Sequence, residues 1–462
     1  MKAQWQNPRG IKERIIIQGT LVLDTPAHLG NGDSDGPLDM PLLLDPLESK
    51  ALLTGTSIAG ALRSYVQEYS DEMKAIASDL FGNVNEKEST QSLIIVDDAL
   101  GHEPKVELRD GVAIEPMTRT AEDKKKFDME LLISGTEFEL SFELLLPRDK
   151  ENELLQSLAI ALQGLEMGEI RIGKRKRRGF GKCHVSQWTI CRYNITNPKG
   201  LIAWLDRDIT EQKKGRDIAS LLDVTVLWQN TSQKRTCTLE GTFALKGSLL
   251  IRSNFGEANA PDFVHLHSKR NNEDVPILSG TSIAGALRAR TLRIANTLGK
   301  NGQEIADSIF GNRKYDDNGQ KELTASRLFV EESVIQKPLS LVYSRVKIDR
   351  FTGGSYPTAL FSEQPIFGRI TDETMIKIQL KLEKACEKDI GLLLLLLKDL
   401  WTGDLPLGGE CSVGRGRLNG RSALLNFDGH SWIFSQDADG PLQLEGNKNT
   451  LEEFVRAFAE AK

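Results

Sequence analysis

Residues 53–63 read LTGTSIAGALR, and residues 278–288 read LSGTSIAGALR. The same landmarks follow each copy in the same order. Phe81-Gly82-Asn83 returns as Phe310-Gly311-Asn312, and Val96-Asp97-Asp98 as Val330-Glu331-Glu332. Gly168, Gly173, Gly179 and Gly181 return without a gap as Gly403, Gly408, Gly414 and Gly416. A repeat of this length exceeds the 20–50 residues of a solenoid unit and marks a duplicated domain. The chain of 462 residues then divides into a first domain over 1–193, a linker over 194–235, a second domain over 236–420 and an extension over 421–462.

Each copy passes through the same elements. Ile15-Ile16-Ile17 and Leu21-Val22-Leu23 predict a first strand over 14–25, matched by 242–251. Thr56-Ser57 and Thr281-Ser282 offer hydroxyls that cap a helix start. Strands are expected at 93–96 and 328–330. Period-two alternation at Phe138, Leu140, Phe142 and Leu144, and at Ile376, Ile378, Leu380 and Leu382, marks strands with one buried face. Helices over 151–166 and 387–400 lead into the glycine-rich segment and a closing strand. The order strand, helix, strand, strand, helix, strand is the ferredoxin-like α+β unit, here in tandem, a topology shared with RNA-recognition modules. The amphipathic stretch LEEFVRAFAEA in the acidic extension predicts a helix that docks on the second domain or on a neighbour.

Bulk properties exclude several classes. No apolar run approaches the roughly 18 residues of a membrane span, and Leu392–Leu397 between lysines reads as a buried helix. The opening MKAQWQNPRG lacks the apolar segment of a secretory signal. Five cysteines without a C-x-x-C pair speak against disulfides and a cysteine zinc site, and for a cytoplasmic location. A net charge of −6 is not that of a generic nucleic-acid binder, so RNA contact has to come from local cations.

Two segments offer such contact. Gly55-Thr-Ser-Ile-Ala-Gly60 has P-loop glycine spacing but Ala61 and Leu62 where the lysine and hydroxyl belong, which argues against ATP hydrolysis. It reads either as a turn into a helix, with Gly60 and Gly285 permitting close packing, or as a helix N-terminus facing RNA phosphate with Thr56, Ser57 and Arg63, and in the second copy Thr281, Ser282 and Arg288. GKRKRRGFGK (173–182) is the strongest basic cluster and nominates Lys174, Arg175, Lys176, Arg177 and Arg178. Its copy GGECSVGRGR keeps the glycines but only Arg415 and Arg417 as cations. The pairs Asp97-Asp98 and Glu331-Glu332 read as strand-end acids rather than metal ligands.

Together these segments resemble the RAMP superfamily of CRISPR-associated proteins, over about 14–190 and 236–420. Residues 19–63 are especially similar to the backbone subunit of type III interference complexes, through His28-Leu-Gly-Asn-Gly-Asp33 and Leu44-Asp45-Pro46-Leu47. The tandem arrangement resembles the double-domain subunits of more fused type III systems. The resemblance implies a subunit that grips guide (CRISPR) RNA, pairs it with single-stranded target RNA and assembles with other effector subunits, away from membranes. It implies a β-hairpin thumb at Val112–Ala121 (with Met117, Thr118 and Arg119) and another at Val346–Ala359 (with Phe351 and Thr352), whose apolar tips occupy the space of an unstacked base. It also implies a loop carboxylate that supports cleavage of the target.

Asp33 is the first candidate for that carboxylate, as ligand of a divalent metal such as Mg2+ or as general base. Asp35 and Asp39 stand close to it. Aligning Gly19 with Gly247 sets Asp33 against Pro261 and makes the neighbouring Asp262 the candidate of the second copy, with Glu257 a poorer one. His265 and His267 beside it do not by themselves make a metal site. Two rival readings stay open: a structural subunit with no hydrolytic role, and a guide-processing endoribonuclease. The latter enzymes commonly use histidine, and none of the six histidines here repeats between copies.

Overall fold

The computed structural model describes residues 10–32, 39–84, 89–115, 118, 120–226, 235–253, 261–270, 272–315, 321–369, 373–438 and 440–460. Contacts divide them into unit 1, within 1–107, 129–176 and 180–228, and unit 2, within 108–128, 177–179 and 229–462.

Unit 1 is built on a five-stranded antiparallel sheet. Its strands are β1 (Ile11–Leu23), β2 (Ile94–Val96), β5 (Glu137–Pro147), β6 (Cys183–Asn194) and β7 (Lys213–Gly215). In sequence, a long hairpin of β3 (Val106–Ile114) and β4 (Ala121–Leu132) comes between β2 and β5; its residues 108–128 belong to unit 2. The sheet order β7-β6-β1-β5-β2 contains the ferredoxin-like arrangement, with the last repeat strand beside the first. One face is apolar because alternate residues of β1 and β5 point the same way: Ile15, Ile17, Leu21 and Leu23 meet Phe138, Leu140, Phe142 and Leu144. Helices α1 (Gly55–Tyr69), α2 (Asp71–Phe81) and α3 (Glu151–Glu166) cover it with Leu62, Val66, Leu158 and Leu162. Residues read as a linker fold onto this unit: after α4 (Pro198–Leu205), β7 pairs with β6, and α5 (Ile218–Leu221) buries Ile218 in the core.

Unit 2 repeats the plan with β8 (Cys237–Lys246), α6 (Gly280–Thr297), α7 (Gly302–Phe310), β9 (Leu328–Val330), a second hairpin of β10 (Tyr343–Ile348) and β11 (Ser355–Gln364), then β12 (Met375–Leu382), α8 (Glu387–Trp401) and β13 (Arg417–Phe427). β12 lies between β8 and β9, and β13 pairs with the other edge of β8. The C-terminal extension continues the sheet with β14 (His430–Ser435) and β15 (Gln443–Glu445), and α9 (Lys448–Glu460) closes over α8. There Gly391 leaves room for the Phe454 backbone, and Leu451, Phe454 and Phe458 join the core. The leucine run is buried as expected. Among the described residues no helix is long and apolar enough to cross a membrane, and all five cysteines are free.

Three local expectations change. The first strand of unit 2 runs over Cys237–Lys246 rather than 242–251, because Gly247 turns out of the sheet at φ +77°. The helix caps are Thr54 and Ser279, whose hydroxyls accept the N–H groups of Ser57 (3.4 Å) and Ser282 (3.3 Å). Thr56-Ser57 and Thr281-Ser282 sit inside the first turn. The close-packed glycines are Gly55 and Gly280, where a Cβ would stand 2.2 Å from the Val96 carbonyl and 2.7 Å from that of Val330. Gly60 and Gly285 have open space around them. The Phe-Gly-Asn landmark ends α2 and α7: Gly82 and Gly311 adopt φ +78° and +82°.

The register of the strands also revises the alignment of the repeats. Gly19 pairs with Leu140, and Gly241 with Ile378, so Gly241 and not Gly247 is the counterpart of Gly19. Beyond the strands, Lys174 donates its backbone N–H to the His28 carbonyl, and Gly409 to that of Leu250. Met40 bridges Met129 in parallel, as Phe263 bridges Glu363. Asp262 is therefore the counterpart of Asp39.

His265 is fully buried in unit 2 and neutral. Its Nε2–H donates to the Ile277 carbonyl at 2.9 Å, while Nδ1 accepts the Ile251 N–H at 3.3 Å. Burial pulls its pKa down from 6.5 to about 4. The unfolded chain thus takes up a proton at higher pH than the folded one, and this contribution is complete above pH 6.5 and lost as pH falls toward 4. A loss of about 3 kcal/mol over that window is expected for this group. Urea midpoints measured at pH 7 and pH 5 should fall for the native chain, with a flatter profile for His265→Gln.

Candidate nucleic-acid interface

The glycine-rich segment of unit 1 doubles back on itself before β6. Ile172 donates to the Gly181 carbonyl at 2.9 Å, and Gly181 donates to that of Pro26 at 2.9 Å. At φ +69° a Cβ on Gly181 would fall 1.8 Å from the Ile172 carbonyl, so only glycine closes this loop. Gly416 makes the same closure against Leu407 in unit 2.

This closure sets the basic loop opposite the start of α1. Between them is a cavity of about 450 Å³, lined by His28, Gly30, Thr56, Ser57, Gly60, Ser64, Arg171, Lys174 and Lys176 among others. Thr56, Ser57, Lys174 and Lys176 are exposed. At the helix start the Asp98 carboxylate accepts the Gly55 N–H at 2.6 Å, so the hydroxyls of Thr56 and Ser57 are what it offers beside these cations. Of the first-copy candidates, Thr56, Ser57, Lys174 and Lys176 therefore line one mouth. Arg63 does not: it lines a separate notch with Phe81, Gly82 and Ser92.

His28 is a cavity residue that the sequence reading passed over. Its side chain is buried, with Nδ1 2.9 Å from the Glu130 carbonyl, and no described residue bonds Nε2. Burial, joined by the charges of Lys174 and Arg175, holds its pKa below the ordinary histidine value against the opposing Glu130 contact. A neutral ring that donates from Nδ1 presents an accepting Nε2 to the cavity. The signal in the sequence was its place at the head of the glycine turn.

The loop carrying the acidic candidates leaves and re-enters at this mouth, where Gly30 bridges Leu42 and Leu43 donates to the Leu29 carbonyl. Asp33 and Asp35 lie outside the described residues, as does Glu257. Asp39 is described and exposed. Its counterpart Asp262 accepts the N–H (2.7 Å) and hydroxyl (3.1 Å) of Ser362 on β11. These bonds hold its carboxyl below the usual carboxylate range. Among the described residues no three His, Cys, Asp or Glu side chains converge on a metal position.

Both expected hairpins are present, longer than the sequence indicated. Met117 and Arg119 lie outside the described residues, while Thr118 is exposed at the turn and bonds Thr120. In the second hairpin Asp349 accepts the N–H groups of Phe351 and Thr352, folding the tip. Phe351 is 96 % exposed there and has no core role. Val112 and Ile114 on the first ribbon, and Val346, Ile348 and Leu360 on the second, are also exposed.

Four predicted cations serve the fold instead. Arg178 donates to the carbonyls of Leu328 (3.1 Å) and Phe310 (3.2 Å) within unit 2, and Arg177 lies over the Phe329 ring. Arg288 bonds the Gly311 carbonyl and Asp307. Arg415 is 2 % exposed and pairs with Glu363 at 2.6 Å and Glu410 at 2.9 Å. In unit 1 the positions of Arg415 and Glu363 are held by Phe180 and Met129, which pack together in an apolar cluster. The second copy has replaced an apolar contact by a buried ion pair. Arg417 remains exposed, Thr281 and Ser282 are half-buried, and Arg175 is half-buried in the loop.

Comparison with known proteins agrees with this architecture. The profile of the RAMP superfamily matches residues 20–184 and again 247–419. Over 191 residues, 37 % of this chain and 86 % of the relative, the sequence is 25 % identical to the CRISPR system Cms endoribonuclease Csm3 of Streptococcus thermophilus.

Removing one partner of a buried pair strands the other charge at a cost of roughly 3–5 kcal/mol. Arg415→Ala should therefore lower the denaturation midpoint sharply and Arg417→Ala by almost nothing. The double change Glu363→Met with Arg415→Phe, which restores the apolar contact of the first copy, should recover most of the loss.

Proposed function

The chain belongs to the RAMP superfamily, in two tandem copies, and from that premise we propose that it is a backbone subunit of a type III CRISPR interference complex, binding guide RNA and cutting the paired target RNA in the cytoplasm. The observation that carries the reading is the cavity of unit 1. It gathers hydroxyls at a helix N-terminus, two exposed lysines and an accepting imidazole at the mouth of an acidic loop. Lysines and hydroxyl groups suit phosphate oxygens, so guide RNA is gripped through its backbone, whatever its sequence.

The hairpin tips supply the second part. An exposed Phe351, with aliphatic side chains along the ribbon, fits the space of an unstacked base and splays one nucleotide of the duplex. That displacement permits the in-line geometry in which a ribose 2′-oxygen attacks its own 3′-phosphate. The P–O5′ bond breaks, leaving a cyclic phosphate and a 5′-hydroxyl; the 2′-hydroxyl loses its proton and O5′ gains one. His28 Nε2 is suited to orient a 2′-hydroxyl as hydrogen-bond acceptor. A carboxylate of the 31–41 loop, Asp33 or Asp39, takes the 2′-proton or binds a divalent cation. Such a cation, Mg2+ in the simplest case, would be held by that carboxylate and would supply stabilisation of the charge on the phosphate.

The equivalence of Asp39 and Asp262 favours Asp39 over Asp33 as the residue the two copies share. Asp262 is tied to Ser362 and ionised, a weak base better suited to cation binding than to proton transfer. A scaffold that only grips guide and target remains the competing reading. The burial of Arg415, one of the two cations of the second copy's glycine-rich loop, favours it for the second copy.

The test is cleavage of end-labelled target RNA by the guide-loaded complex, with and without Mg2+, using Asp33→Ala, Asp39→Ala, Asp262→Ala and His28→Ala. Loss of one product band in an Asp33 or Asp39 variant that still binds target is expected, together with a drop of at least tenfold for His28→Ala. Survival of every band in the triple aspartate variant would make the subunit a scaffold. Lys174→Ala with Lys176→Ala should weaken guide binding and reduce its salt dependence by about two counterions.

A further inference from the structure

Unit 2 holds a small receiver for an arginine. Arg178 enters between the end of α7 and β9, where the carbonyls of Phe310 and Leu328 accept its two terminal nitrogens. Ser326 frames the site by donating to the carbonyls of Ile309 (3.1 Å) and Leu328 (2.9 Å). Arg177 covers Phe329, its guanidinium 5.0 Å from the ring centroid. The Arg178 carbonyl lies against Gly280, where a Cβ would come within 2.3 Å.

Unit 1 has the same receiver. Ser92 donates to the carbonyls of Leu80 (3.1 Å) and Ile94 (2.6 Å), as Ser326 does in the other copy. No described residue donates to the Phe81 carbonyl, the counterpart of Phe310, at the electronegative end of α2. Ile95 stands where Phe329 stands and is 43 % exposed. The notch is open, about 430 Å³, and bordered by Arg63, Phe81, Gly82, Thr90 and Ser92.

We propose that this notch in unit 1 is the docking site for a glycine-flanked, arginine-bearing loop of a different protein chain. The occupant follows from the repeat. A second copy of this chain offers Val413 at the matching position of its other glycine-rich loop, 59 % exposed and without a guanidinium, while its Arg178 is already engaged. The partner's arginine meets the carbonyls of Phe81 and Ile94, and its neighbouring side chain covers Ile95. Arg63 does not bar a second cation, since Arg288 and Arg178 share the end of α7 in unit 2. There Asp307 offsets Arg288; unit 1 has Ser78 at that position, so the incoming loop is expected to bring an acidic residue beside its arginine. The inference rests on the reading of the chain as one subunit among several, and not on cleavage.

A photoactivatable benzoylphenylalanine at Thr90, in the assembled RNA-loaded complex, tests it. The expected product is a cross-link to an arginine-containing loop of another protein, identified by mass spectrometry. The solvent-facing variant Ile95→Glu should lower affinity for that protein at least tenfold without changing the melting temperature or guide binding. A cross-link to RNA, to a second copy of this chain, or to nothing in an intact complex would overturn the proposal while leaving the cleavage reading in place. Failure to assemble with any other protein would instead remove the functional reading itself.

Discussion

The closure of the glycine-rich segment is the constraint on which both sites depend. Gly181 and Gly416 occupy positions where any side chain would strike a carbonyl of their own loop, 1.8 Å away. With the loop closed, its backbone is pinned to the exit of the first strand through Lys174 and His28, or Gly409 and Leu250. The candidate site in unit 1 hangs from that pinning: the lysines face the start of α1, His28 is driven inside, and the two ends of the acidic loop meet beside it.

Duplication let the two copies spend the same frame differently. In the first, residues of the basic loop line an open cavity, and an apolar pair, Met129 and Phe180, supports it from behind. In the second, the equivalent pair has become Glu363 and Arg415, enclosed by Glu410 and Arg345. A buried ion pair adds little stability over an apolar contact of similar volume, but it removes an arginine from the surface. The loop of the second copy therefore keeps its shape and loses most of its charge.

The fold was legible because its signals are local. Alternation at 138–144 and 376–382 and the apolar run at 392–397 depend on near neighbours and on the period of the chain. The candidate site was only half legible. Lys174 and Lys176 could be nominated as a charge cluster, and Phe351 as a hairpin tip. Arg178 and Arg415 carry the same side chain in the same kind of glycine frame, and nothing adjacent in sequence reveals that one meets helix-end carbonyls and the other a buried carboxylate. The equivalence of Asp39 with Asp262 was hidden for a related reason: loops of unequal length separate them from the landmarks, and only strand pairing restores the register.

The sequence by itself determined the duplication, the two ferredoxin-like sheets and the glycine positions, since these follow from backbone stereochemistry and the periodicity of burial. Tertiary structure alone decided which cations face solvent, which histidine points into a cavity and which receiver stands open. Those outcomes depend on contacts between residues tens to hundreds of positions apart, where a change of partner, Glu363 for Met129, accompanies the change of one and the same frame from an open basic mouth to a closed core.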